Sequence, residues 1–472
     1  MALRKSVSLG NLGSAFDQND PVADLYGPTT LDGYSSLSFL EDTGTNWVRL
    51  FVSWNLLWPN PPAPPGSRSS KPYPSPTPLP QNAAQVAHQI NDLDTNIALA
   101  KAAKRKVVVT PYGFPKWLNG TDPRSTTEIV YSDENFVLPA DSVLMTPTGR
   151  PPNGLKFYVP TDLMYSRFVH DLMLRYHPGN PNRPVPAASI DAFELVNEPN
   201  LLTPHGAKPR TNATARQAHS TALMMRTAQS LKTRLNRMFR RSGKALFLLG
   251  PATADTGNWS AFSTDLINDL TNNGRKPVRD RDFGWSHHNY RDVEQIGQAL
   301  GRLPFNAALY KRLAPSLYGP RTQRLRRILN GKWFGWGTTG DPDPRIFLTE
   351  GGARLEHMPG WPPTVNGQPD PDPNAHYPPE APSNPAATQK RLQAYSVGGS
   401  AVALKRTPPG QAGRGVEMFT NFLFFDDFGA NYSGLCDQYA LARDRFGGPA
   451  PRNETSGEEE RPSYANWKTF GL

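Results

Sequence analysis

Leu246-Phe247-Leu248-Leu249, inside a candidate strand at 245–251, is apolar at every position. A strand with one wet face alternates, so a continuous run reads as a strand buried on both faces, as in a parallel sheet covered by helices. Val107-Val108-Val109, at 106–112, is a second such run. Further short β-rich runs lie at 6–16, 47–53, 190–197, 283–290, 345–350 and 416–425, giving eight candidate strands. Helix-compatible stretches fall between them at 82–104, 162–176, 214–241, 260–272, 322–330 and 388–405, several opening with an N-cap residue. Eight strands with intervening helices predict an α/β fold, a closed (β/α)8 TIM barrel rather than an open doubly wound sheet. No Gly-rich dinucleotide fingerprint follows the first strand, which removes the usual support for the open sheet.

A barrel with insertions accommodates 472 residues, so the expectation is one catalytic unit over 1–472. Its core lies at about 6–445 and a C-terminal return segment at 446–472, with a last short helix at 464–470. Much of the proline, 49 residues in all, is concentrated at 59–80 and 359–385, soon after the second and seventh strands. Loops there would rim the barrel face that carries active sites, rigid connectors being the alternative. The stretch 120–160, after the third strand, is another such insertion.

The formal charge of +10 admits a polyanionic partner, yet the basic clusters at 234–241 and 321–327 sit in helical patterns and read first as solvated faces. No zinc-finger spacing or aromatic ribonucleoprotein motif accompanies them, so no nucleic-acid partner is expected. Cys436 is the single cysteine, which rules out a disulfide framework or thiolate metal site within the chain. No run of about 18 apolar residues is present to span a membrane. The start, 1–10, lacks the apolar run of a signal peptide, so secretion would require a leader already removed, and the chain is otherwise cytoplasmic. Oligomeric state is not read from the sequence.

Chemistry gathers at strand ends. The fourth strand finishes Phe193-Glu194-Leu195-Val196-Asn197-Glu198-Pro199-Asn200, and the seventh Ile346-Phe347-Leu348-Thr349-Glu350-Gly351-Gly352. Strands four and seven stand nearly across a barrel from each other, so Glu198 and Glu350 would face one substrate at the C-terminal mouth. Glycoside hydrolysis needs this arrangement, one carboxylic acid to protonate the leaving oxygen and one carboxylate to attack or to activate water.

These residues resemble the clan A glycoside hydrolases, in particular glycoside hydrolase family 5, over most of the barrel. Asn197-Glu198-Pro199 is similar to the clan's acid/base signature, and Leu348-Thr349-Glu350-Gly351 to its nucleophile strand. Trp47-Val48-Arg49-Leu50-Phe51-Val52-Ser53-Trp54 and His287-His288-Asn289-Tyr290 are similar to its second and sixth strands. The resemblance implies retaining cleavage of a carbohydrate, with Glu198 as general acid/base and Glu350 as nucleophile. It also implies that Asn197 contacts the sugar 2-hydroxyl, that Arg49 and Tyr290 hold the nucleophile, and that His288 is the matching histidine. No cofactor or metal is implied. The eighth-strand run Phe422-Leu423-Phe424-Phe425-Asp426-Asp427 lacks the tryptophan the family commonly places there.

Trp54, Trp117, Trp285 and Trp361 are the candidates for stacking on sugar, Trp54 and Trp361 foremost, though any of them can equally be core. Structural alternatives stand for the rest: helix N-terminal charge for Glu198, a turn for Glu350, an ion pair for Arg49, core polar groups for His288 and Tyr290. An acid catalyst starts protonated, so the pKa of Glu198 is expected to be raised. Two other functions remain open, an inactive carbohydrate-binding barrel and a polyanion binder.

Overall fold

The computed structural model describes residues 3–8, 40–41, 43–57, 80–113, 161–202, 213–271, 283–332, 345–354, 357–360, 364–365, 368–369, 387–405, 416–421, 436–437, 459–460 and 462–470. Within them β1 (Arg4–Ser8), β2 (Trp47–Ser53), β3 (Lys106–Tyr112), β4 (Ala192–Glu194), β5 (Phe247–Thr253), β6 (Phe283–His288), β7 (Ile346–Glu350) and β8 (Val416–Asn421) close into a barrel. Neighbouring strands are all parallel, and β1 pairs with both β2 and β8. Around them lie α1 (Pro80–Ala102), α2 (Thr161–Tyr176), α3 (Ala213–Met238), α4 (Trp259–Thr271), α5 (Tyr290–Leu300), α6 (Ala307–Leu313), α7 (Arg321–Lys332), α8 (Ala387–Lys405) and α9 (Pro462–Thr469). The fold is a (β/α)8 barrel.

Alternation along the strands sorts the core into two parts. Trp47, Val108, Ala192, Leu249, Phe347 and Met418 point inward and fill the barrel floor. Their neighbours Val48, Val107, Val109, Phe193 and Leu248 point outward into the larger core beneath the helices. Both faces are therefore dry, which accounts for the unbroken apolar runs. Gly284 on β6 belongs to the floor: a Cβ there would collide with the Phe347 ring, so the missing side chain makes room for it.

β4 and β6 end short of expectation. β4 keeps regular pairing over Ala192–Glu194 only. Beyond it the backbone stays bonded in irregular geometry, Leu195 N–H to Leu249 O at 2.8 Å and Asn197 N–H to Pro111 O at 2.7 Å. β6 stops at His288, and Tyr290 opens α5 rather than ending the strand. Helices α5 and α6 were not anticipated. The proline-rich segment 59–79, most of 359–385 and the insertion at 120–160 lie outside the described residues.

Candidate active site

Arg49 projects on the same side of β2 as Trp47, one layer nearer the mouth; Thr110 stands likewise above Val108, and Glu194 above Ala192. The apolar floor thus carries a polar layer. Arg49 Nε donates to Glu194 Oε2 at 2.8 Å and to Thr110 Oγ1 at 3.1 Å, and the Thr110 hydroxyl donates to the same carboxylate oxygen at 2.7 Å. The two remaining guanidinium nitrogens reach toward the mouth: Nη1 donates to Glu350 Oε2 at 2.7 Å and Nη2 to Asn197 Oδ1 at 2.8 Å. Arg49 and Glu194 are fully buried. Burial acts to raise the Glu194 pKa, but the Arg49 charge, helped in turn by Thr349, the His288 charge and the Thr110 hydrogen bond, outweighs it and holds the carboxyl below its ordinary value.

Glu350, at the end of β7, is gripped on both oxygens, since Tyr290 Oη donates to Oε1 at 2.9 Å while Arg49 holds Oε2. Its main-chain carbonyl accepts from Asn289 N–H at 2.9 Å. The next residue has to be glycine, because a Cβ at 351 would run into Asn289 Oδ1.

Glu198 follows β4 with a φ of +49°, a left-handed conformation that costs a non-glycine residue about 1 kcal/mol. Its N–H donates to Ala252 O at 3.1 Å. Buried Asn200 fastens the same turn to the one after β5, donating from Nδ2 to Ala254 O at 3.1 Å and accepting from Ala254 N–H at 2.8 Å. Tertiary bonds thus impose the strained backbone.

His288, fully buried, stands between the two glutamates, with Nδ1 3.1 Å from Glu198 Oε1 and Nε2 3.4 Å from Glu350 Oε2. Burial would lower its pKa; the Glu350 charge and the contact with Glu198 more than compensate and raise it. For Glu198 the balance runs against expectation. Burial pushes its pKa up, but the His288 hydrogen bond and charge, with Arg49 and Arg354 farther off, bring it below the ordinary carboxylate value. The expected raised pKa is therefore corrected to a lowered one, and the cause is the imidazole.

One atom each of Glu198, His288 and Glu350 lie within 4.8 Å of one another. That spacing could also hold a divalent ion, although Arg49 already places a positive charge on Glu350. The two glutamates line a cavity of about 640 Å³ with Phe51, Tyr112, Asn197 and Tyr290.

No protein-family model matches the sequence, and no curated protein does. Among solved structures the chain is similar to a triple mutant of an endo-β-1,4-glucanase from Xanthomonas axonopodis pv. citri, at 14% identity over 99% of each chain and a TM-score of 0.46. It is also similar to a family 5 lichenase from Caldicellulosiruptor sp. F32, at 12% identity over 99% of this chain and 93% of that one, TM-score 0.44. A family 5 xyloglucanase from Paenibacillus pabuli matches at 11% identity over 99% and 98%, also with a TM-score of 0.44. At such identity no residue's role carries over.

Of the residues singled out from sequence, Arg49, Asn197, Glu198, His288, Tyr290 and Glu350 converge on one place. Trp54 does not: it is wholly buried, stacked on Phe168 at 5.1 Å and edge-on to Tyr165 at 5.7 Å, so it belongs to the core under α2 and offers no face to a sugar. Trp285 is equally buried, while Trp361 and Trp117 lie outside the described residues. The sequence reading missed Glu194, Thr110, Asn200, Arg354 and His357. Arg354 packs 4.8 Å over the Tyr290 ring and donates to Glu294 Oε1 at 2.6 Å, and His357 Nδ1 lies 2.9 Å from that same oxygen.

Proposed function

We propose that the protein hydrolyses a β-glycosidic bond in an oligo- or polysaccharide by double displacement. The observation that carries this is the approach of one carboxylate oxygen of Glu198 and one of Glu350 to within 4.8 Å across the cavity. Retaining pairs stand about 5 to 5.5 Å apart, whereas inverting pairs leave about 6.5 to 9.5 Å for a water.

In the first step Glu350 attacks the anomeric carbon, the glycosidic bond breaks, and the leaving oxygen takes a proton from Glu198. In the second, Glu198 accepts a proton from water, which displaces Glu350 from the same carbon. Arg49 and Tyr290, each on one oxygen of Glu350, fix the carboxylate plane. Asn197, oriented by Arg49, is placed for a sugar hydroxyl. With Glu198 held low by His288, the acid's proton in the free enzyme is shared across that pair, and it is the pair that titrates.

Hydrolysis of aryl β-glycosides, β-glucans, mannans and xylans, run beside Glu198→Ala and Glu350→Ala, tests this. Activity lost in both variants, with product first released in the substrate's anomeric form, is the expected result. Turnover of an activated aryl glycoside by Glu350→Ala at the parent rate would remove Glu350 from the reaction.

A further inference from the structure

A second cavity, of about 760 Å³, lies in the groove between α4 and α7. It shares Thr256 and Gly257 with the cavity that holds Glu198 and Glu350, so the two adjoin at the turn after β5. Their linings differ in charge. The second carries Arg321, Arg324 and Arg327 against the single carboxylate of Asp265. Arg321 is ion-paired with Asp255 at the junction. Arg324 and Arg327 are exposed and have no ion-pair partner among the described residues; Arg324 lies 5.9 Å from the Trp259 ring centre. On the near side of the junction, Arg291 also lines the catalytic cavity with an exposed guanidinium that has no ion-pair partner among the described residues. A row of cations therefore runs from beside Tyr290 into the second groove. A neutral glycan gives these guanidinium groups nothing that water does not, whereas a carboxylate or sulfate meets their fork with two parallel hydrogen bonds.

We infer that the substrate chain continues from the catalytic cavity over Thr256 and Gly257 into this groove, and that it is an anionic glycan whose carboxylate or sulfate groups pair with Arg291, Arg324 and Arg327. The inference rests on the glycosidase reading for the nature of the chain, and its test is one of binding. Glu350→Gln protein is titrated by affinity electrophoresis with carboxymethyl-cellulose, polygalacturonate, cellulose sulfate and neutral hydroxyethyl-cellulose, at low and at physiological salt. The same is done with Arg324→Ala/Arg327→Ala added, and with the equally charged control Arg240→Ala/Arg241→Ala, two exposed residues in the 3-10 turn that follows α3.

The expected result is tighter binding of at least one anionic polymer than of the neutral one, weakened by salt and by about fivefold or more in the groove variant, with the control unchanged. The polymer that responds separates carboxylate from sulfate. An equal loss in the control would reduce the effect to net charge and overturn the inference. So would equal affinity for neutral and anionic polymers, no binding of any anionic polymer, or a single-stranded nucleic acid bound as tightly with the same arginine dependence. Arg324→Ala/Arg327→Ala in the otherwise native chain should keep the parent's circular dichroism spectrum and unfolding midpoint, which shows that the variant is folded. Arginine-dependent binding by a protein that cleaves no glycoside would leave the subsite standing and dismiss the glycosidase reading alone.

Discussion

The Nδ1 atom of His288 lies 3.1 Å from Oε1 of Glu198, so the residue proposed as general acid shares its proton with an imidazole buried beside it. His288 is raised above its ordinary value and Glu198 lowered, each by the other in part. In the native protein the last proton leaves this pair above the ordinary histidine value. In His288→Gln only a carboxyl remains to carry it, and that group titrates from a lower starting point even with burial raising it. The alkaline limb of kcat/KM should therefore move toward acid, and the rate at neutral pH should fall about tenfold or more. A pH–rate profile checks this; an unmoved limb would leave His288 a purely structural contact.

Arg49 ties the barrel's polar layer to its mouth, donating to Glu194, Glu350 and Asn197 at 2.7 to 2.8 Å. Lysine keeps the charge but cannot fork among several acceptors, so Arg49→Lys should lower kcat about a hundredfold and stability by about 2 kcal/mol. Glu194, held below its ordinary value, contributes stability that is present above the unfolded carboxylate pKa and lost as pH falls through the folded one. In urea unfolding the part of the stability that Glu194 supplies should be constant from neutral to mildly acid pH and decline below about pH 4. Glu194→Gln should flatten that acid decline.

The barrel was legible because both-face burial writes itself as unbroken apolar runs such as 246–249, and the proposed pair because its glutamates follow such runs at the mouth. The interior layer was harder to see. Arg49 and Glu194 are single charges inside strands with no water on either face, and two opposite charges so placed can only be meeting each other. That signal was present and went unused for Glu194. Asn200, Arg354 and His357 gave no comparable sign, since their partners, on the turn after β5, on α5 and in Glu294, become neighbours only when the barrel closes. Trp54 misled because its place directly after β2 suggests the mouth, whereas its ring turns outward beneath α2.

Trp54 is therefore expected to behave as core. Trp54→Ala removes a wholly buried indole packed on Phe168 and Tyr165 and should cost about 3 to 5 kcal/mol in denaturant unfolding. Trp54→Phe should recover much of that loss with an unaltered KM. A KM raised severalfold in a stable Trp54→Phe protein would return the residue to the substrate cleft.

Asn200 acts on Glu198 at one remove, through hydrogen bonds in both directions with Ala254 of the turn after β5. Losing them should cost about 2 kcal/mol and let the left-handed turn at Glu198 relax. For Asn200→Ala we expect kcat on a poorly activated glycoside to fall about tenfold. An activated aryl glycoside, whose leaving group needs little protonation, should be turned over almost normally. Equal losses on both substrates would mean that the variant damages the cavity at large rather than the acid.

Asp255 sits at the junction of the two cavities and gives the proposed subsite a pH dependence. Burial pushes its carboxyl up to about 6, with the charge of Asp292 adding to the rise, although the Arg321 ion pair and the Arg291 N–H act to lower it. Between pH 7.5 and 5 the group takes up a proton, removing a negative charge from the junction and loosening its hold on Arg321. An anionic chain should then bind more tightly, by about threefold for one charge at partly exposed range. Cellulose sulfate is the polymer to use, because its own charge does not change over this interval. Asp255→Asn should bind at pH 7.5 as the parent does at pH 5 and show little further change on acidification. If the pH dependence survives intact in that variant, another group is responsible, and the row of arginines is not gated at Asp255.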